Sequence, residues 1–187
     1  MTMRLRGATR VLCAAALLVA VVRSPLCVGQ APAAADAKTP LLEFVYQETV
    51  TLGPSQSVGD TPEGHRNIVP IIGGTFEGPN LHGKILPGGW DWQLASPGGC
   101  FTVHADYMIQ TDDGVIINVR NEGTQCSSTS GKRGPLLTSP RFEAPKGKYD
   151  WLNGGVYVGT LDGTPLNGTP AVRIRFYKAQ GAAPAGQ

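Results

Sequence analysis

Histidine, paired cysteines and basic runs are scarce in this 187-residue chain, and each scarcity removes a class of function. The three histidines, His65, His82 and His104, are scattered, with no His-x-His or Cys-x-x-Cys spacing, which argues against a metal site. Neither a Gly-x-Ser-x-Gly elbow nor a phosphate loop is present, so the familiar hydrolase and nucleotide motifs are missing and no cofactor is implied. Net charge is only +2 and no basic run is interleaved with aromatics, which excludes nucleic acid as the expected partner. No segment carries a long helical stripe, and no repeat recurs at a fixed period.

The one long apolar run is "VLCAAALLVAVV", Val11 to Val22, preceded by Arg4, Arg6 and Arg10. A positive stretch ahead of an apolar core of this length has the form of a secretory signal. A spanning helix needs roughly 20 apolar residues, and Arg23, Ser24 and Pro25 end the run sooner. The signal is expected over residues 1–29, with cleavage after Gly29 or after Ala35; an uncleaved membrane anchor is the rival reading. Residues 30–40 read as an Ala/Pro-rich linker, 41–178 as the folded domain and 179–187 as a flexible tail. The mature protein is thus expected to be exported, periplasmic or secreted, with no membrane insertion once the signal is gone. Oligomeric state is not legible, and a homo-oligomer stays open.

What is present in quantity is period-two alternation, the mark of half-buried strands. In "CFTVHADYMIQTDDGVIINVRNEGTQC" (Cys100 to Cys126), Phe101, Val103, Ala105, Tyr107 and Ile109 share one face. A two-residue Asp113-Gly114 turn would set Tyr107 opposite Arg120. A three-residue loop of Asp112, Asp113 and Gly114 sets Tyr107 opposite Val119 and Ile109 opposite Ile117. One residue of slip exchanges the faces, so the apolar pattern selects the longer loop. That register also sets Asp106 opposite Arg120, His104 opposite Glu122, Ala105 opposite Asn121, and Cys100 opposite Cys126. A disulfide between Cys100 and Cys126 is predicted, because facing cysteines in an exported protein oxidise.

Further strand candidates are "LLEFVYQETVTL", "RNIVPIIGGTFEG", "LHGKILPGGWDWQLA", "SPRFEAP", "DWLNGGVYVGTL" and "AVRIRFYKA". Short strands with Gly, Pro, Asn and Asp between them point to an all-β sandwich or barrel. Gly73-Gly74, Gly83 and Gly88-Gly89 sit inside or between these strands, where glycine marks bends, bulges or close approach of backbones. A sheet that curls shut needs such positions, and closure removes its edges.

The stretch "VGDTPEGHRNIVPIIGGTFEGPNLHGKILPGGWDWQL", followed by "TDDGVIINVRNEG", "SPRFEAPKGKYDWLNGGVYVGT" and "VRIRFYKA", resembles the domain-of-unknown-function family numbered 3237, the UPF0311 group. The resemblance spans nearly the whole domain in order. It implies a single calycin-like antiparallel β-barrel with a central cavity and no assigned activity. This chain departs from the family pattern in carrying a secretion signal and in a shorter segment between Gly123 and Pro140.

The candidate chemistry starts at Asp91, between Trp90 and Trp92. Facing the interior, its carboxyl would be desolvated and suited to proton transfer; facing out, it would meet solvent while the indoles supplied apolar platforms. The "PGGxDW" motif of the resemblance favours a place at the cavity for both Asp91 and Trp92. Tyr107 and Asn121 share the apolar hairpin face, where a buried amide needs a partner. Arg141 could clamp a carboxylate or pair with Glu143. Trp151 and Asn153 would alternate onto one face of a strand as an aromatic wall and an amide hook. His104, Asp106, Arg120 and Glu122 read as solvated surface pairs.

These residues support an exported barrel that binds a small organic molecule in its lumen. Two alternatives remain: a cofactor-free lyase, isomerase or cyclase using Asp91 as general acid or base, and a structural or interaction module with a filled core. Whether the protein is an enzyme is left open.

Overall fold

The computed structural model describes residues 39–127 and 135–181. The proposed signal, most of the linker and the end of the tail lie outside the described residues.

Ten strands make one antiparallel sheet: β1 (Leu41–Leu52), β2 (Gln56–Thr61), β3 (Gly64–Glu77), β4 (His82–Ile85), β5 (Gly89–Ala95), β6 (Cys100–Thr111), β7 (Ile116–Cys126), β8 (Leu136–Glu143), β9 (Tyr157–Gly163) and β10 (Ala171–Gln180). Neighbours run β1-β10-β9-β8-β7-β6, then β4 and β5 end to end against β3, and β3 returns to β1. The sheet therefore closes into an eight-stave barrel in which β4 and β5 share one stave, with β2 extending the β1 side. Among the described residues there is no α-helix, only a short 3₁₀ turn at Asp150–Leu152.

Closure explains the glycines. β3 pairs with β2 and β5 over its first half and with β1 and β4 over its second. The changeover falls at Gly73 and Gly74, both at positive φ (144° and 142°), a backbone that side chains with a Cβ rarely adopt. Opposite this bend β1 shifts register between Thr51 and Leu52. The candidate strand "LHGKILPGGWDWQLA" is in fact two, broken at Leu86–Gly88, because Pro87 has no N–H to give a ladder.

Inside, Tyr46, Phe76, Phe142, Tyr157 and Phe176 pack edge to face or tilted, with centroids 4.8–6.1 Å apart. Such pairs add roughly 0.5–1.5 kcal/mol each beyond their burial. The hairpin β6–β7 has the anticipated register, with Tyr107 opposite Val119 and Ile109 opposite Ile117. Gly114 closes its loop at φ 88°. Cys100 pairs with Cys126, and the two sulfurs are bonded. Beyond the expected end of the domain, Ala179 and Gln180 still pair with Leu42 and Leu41, so β10 continues two residues into what reads as tail.

Candidate functional site

The aromatic cluster fills one end of the barrel and leaves a hollow of about 210 Å³ at the other. Its walls are aliphatic, from Val50, Leu52, Ile71, Val172 and Ile174 among others, and its polar groups gather on one side. Half-buried Phe101, Gln93 and Leu161 mark its open end, and buried Tyr107, Val50 and Ile174 mark its depth.

The polar side follows from sheet register. Asp91 on β5 pairs with Ala105 on β6, and Ala105 pairs with Asn121 on β7. Directly paired residues point to the same face, so all three face inward, as their place in the lining shows. Strands are spaced about 4.8 Å apart, so Asp91 and Asn121 stand roughly 10 Å from each other across the row. Ala105 between them has only a methyl group, and its small side chain leaves the space between an acid and an amide.

Asp91 is held in place by the backbone. The β5–β6 ladder pairs Asp91 with Ala105 and resumes only at Leu94 with Thr102. In the gap, the His104 N–H donates to Asp91 Oδ1 at 3.0 Å, and Gln93 Nε2 donates to Oδ2 at 2.7 Å. Burial lifts this carboxyl above the usual carboxylate range, against the pull of those two bonds. On the far side of Ala105, Asn121 is 2 % exposed, and its Oδ1 has no hydrogen-bond partner among the described residues.

One group was not singled out from the sequence. Glu48 on β1 is completely buried and accepts a hydrogen bond from the Tyr107 hydroxyl. Burial pushes its carboxyl up to about 8, opposed only by that bond, and lifts the Tyr107 and Tyr46 hydroxyls as well. Among the described residues, Glu48 Oε2 and the Tyr46 hydroxyl have no hydrogen-bond partner. The signal was available: Tyr46, Glu48, Val50 and Leu52 alternate on one face, which leaves a carboxyl in the middle of an apolar row. Tyr107 joins this buried pair to the hollow, whose lining includes it. Gly89 makes room for it, since a Cβ there would fall 2.4 Å from the Tyr107 Cβ.

Of the residues expected at the site, Asp91, Tyr107 and Asn121 converge on the hollow, and the other four do not. Trp92 is 46 % exposed on the outer wall, because Asp91 takes the inward position and period two turns both neighbours out. Arg141 faces solvent opposite Arg120, since Leu136, Thr138, Pro140 and Phe142 occupy the inner face of β8. Trp151 and Asn153 lie on no strand. The segment turns as a 3₁₀ helix, and Asn153 bonds the backbone of Ala144 at both its N–H (2.8 Å) and its carbonyl (2.9 Å). Trp151 lies under Lys178, whose Nζ is 5.6 Å from the ring centre. At the surface His104 Nδ1 lies 3.5 Å from Glu122 Oε1, and Asp106 accepts a bond from Asn118 at 2.6 Å.

A second polar cluster lies on the β2–β3 hairpin. His65 Nδ1 is 2.8 Å from Asp60 Oδ1, and its Nε2 is 3.4 Å from Ser57 Oγ. That order matches an acid, a base and a nucleophile. All three stand at the surface, the Asp60 side chain 92 % exposed, so water competes for each bond.

A closed antiparallel barrel with an apolar lumen and an acid and an amide on one wall defines a small, hollow β-barrel class. The chain belongs to the family described as a protein of unknown function (DUF3237), whose model matches residues 40–179. A UPF0311 protein of Clostridium acetobutylicum is 33% identical over 149 residues, spanning 73% of this chain and 92% of its own. A UPF0311 protein of Bradyrhizobium diazoefficiens is 37% identical over 136 residues, 65% of this chain and 89% of its own. Among solved structures, a beta-barrel like protein of Acinetobacter baumannii superposes with a TM-score of 0.67 at 32% identity, over 78% of this chain and 99% of that one. A structure described as an enzyme from Penicillium herquei superposes with a TM-score of 0.58 at 25% identity, over 75% of this chain and 95% of that one.

Proposed function

We propose that this protein is exported and that its barrel holds one small, largely apolar organic molecule, seated over Ala105 between Asp91 and Asn121. The observation that carries this reading is the unpartnered Asn121 oxygen, buried and lining a hollow. A buried polar atom without a partner costs about 1–3 kcal/mol, and a bound molecule or water supplies that partner. The hollow exceeds the ~150 Å³ of an apolar cavity that takes up benzene, and it is below the ~300–1,000 Å³ of drug-sized sites. A single-ring molecule fits it.

The test uses toluene as a bare ring, followed by NMR shifts of the Val103, Ala105 and Asn121 amides. Toluene should shift these signals in the wild type, and Ala105→Leu should abolish the response while the fold survives. Toluene shifts that persist in Ala105→Leu would place the ligand elsewhere and overturn the reading.

An enzymatic reading is supported by Asp91, whose desolvated carboxyl suits proton transfer, and by the Penicillium herquei structure described as an enzyme. Substitution Asp91→Asn separates the two. A carrier keeps most of its ligand, whereas an enzyme still binds and loses turnover by about 10²- to 10⁴-fold. Export is supported by the arginine-flanked apolar N-terminus and the oxidised cysteine pair. N-terminal sequencing of the mature protein should start at Gln30 or Asp36; an intact Met1 in the cytosol would overturn it.

A further inference from the structure

We infer that the hollow selects an uncharged, hydroxyl-bearing molecule and rejects the corresponding carboxylate; this rests on the hollow being a ligand site. The charge balance of the walls carries the inference. Among the described lining residues there is no lysine, arginine or histidine, and the one ionisable group at the polar row is the Asp91 carboxyl. Just behind the wall the Tyr107 hydroxyl donates its hydrogen bond to the Glu48 carboxyl, so that O–H is engaged away from the hollow. An entering carboxylate would set a second negative charge beside Asp91 with no cation to offset it. In a low-dielectric enclosure that repulsion adds to the loss of hydration.

A hydroxyl matches what the row offers. It can donate to the unpartnered Asn121 Oδ1 or to a free lone pair of Asp91, and it can accept the second amide hydrogen of Gln93, the first being taken by Asp91. An ammonium group would also donate, but it must shed a strongly held hydration shell to enter an aliphatic enclosure. A bare hydrocarbon would fit the aliphatic walls and leave Asn121 unsatisfied.

Four probes of one ring size decide the matter at pH 7.5: toluene, benzyl alcohol, benzoate and benzylamine, titrated into the whole protein and followed by the same amide shifts. Benzyl alcohol should bind at least as tightly as toluene. Benzoate should bind about a hundredfold more weakly or not at all, and benzylamine more weakly than the alcohol. In Asn121→Leu the affinity ratio of alcohol to toluene should fall about tenfold, the effect of one lost hydrogen bond to a buried acceptor. Toluene binding tighter than the alcohol, or benzoate or benzylamine matching it, would overturn the selectivity while leaving the ligand site standing. Failure of every probe would overturn both. The wild-type series alone suffices if Asn121→Leu does not fold.

Discussion

A carboxyl group sealed beside Tyr107 makes the stability of this barrel depend on pH. Glu48 stays protonated in the folded protein up to about pH 8, whereas its ordinary value is 4.5. The folded state therefore binds the extra proton between those values, and stability falls as pH rises through that window. Below about 4.5 the contribution is complete; above 8 the cost of enclosing a carboxylate is complete, on the order of 5 kcal/mol. Glu48→Gln keeps an acceptor for Tyr107 and removes the titration. Denaturant unfolding at pH 5 and pH 8 should show wild-type stability dropping by several kcal/mol more than that of the variant. Equal slopes in the two proteins would show that Glu48 is ionised in the fold. The same residue marks how far the sequence can be read: alternation places Glu48 among inward side chains, but its neighbours across the barrel come from strands far away in the chain.

At the scale of elements, the β6–β7 hairpin was the most legible part. Its register follows from one constraint, that period-two alternation puts every apolar residue on one face, and the cysteine pair then falls opposite itself. The bond closes a 26-residue separation, for which the chain-entropy account gives about 3.5 kcal/mol. Cys126→Ser, or full reduction, should lower the melting temperature accordingly. An unchanged melting curve would mean that the hairpin is already closed by its ladder in the unfolded ensemble. The loop itself is tied outward: Asp113 accepts bonds from Thr111, Lys148 and Tyr149, and these hold its carboxyl well below the usual range, Lys148 first. The 3₁₀ turn at Asp150–Leu152 was not legible. "DWLNGG" leads directly into the strand-like run "VYVGTL" and reads as its beginning, whereas in the fold Asn153 satisfies both polar groups of Ala144 from a turn.

At the scale of the whole molecule, closure decides what the outer and inner walls mean. The sequence reading places both Asp91 and Trp92 at the cavity, which alternation forbids for neighbours on one strand: Asp91 lines the hollow, and Trp90 and Trp92 lie on the outer wall. Arg141 is turned out by the same alternation once Phe142 joins the aromatic cluster. The hairpin register and the cysteine pair were determined by the sequence itself, because both rest on local periodicity; alternation and the spacing of the glycines narrowed the fold to an all-β sandwich or barrel, and the family resemblance supplied the barrel. Only the tertiary structure decided that Asp91 and Asn121 flank Ala105, that Glu48 lies behind Tyr107, and that one end of the barrel is hollow. Those facts depend on which strands become neighbours when the sheet closes, and pairing across a closed sheet joins residues that no local pattern relates.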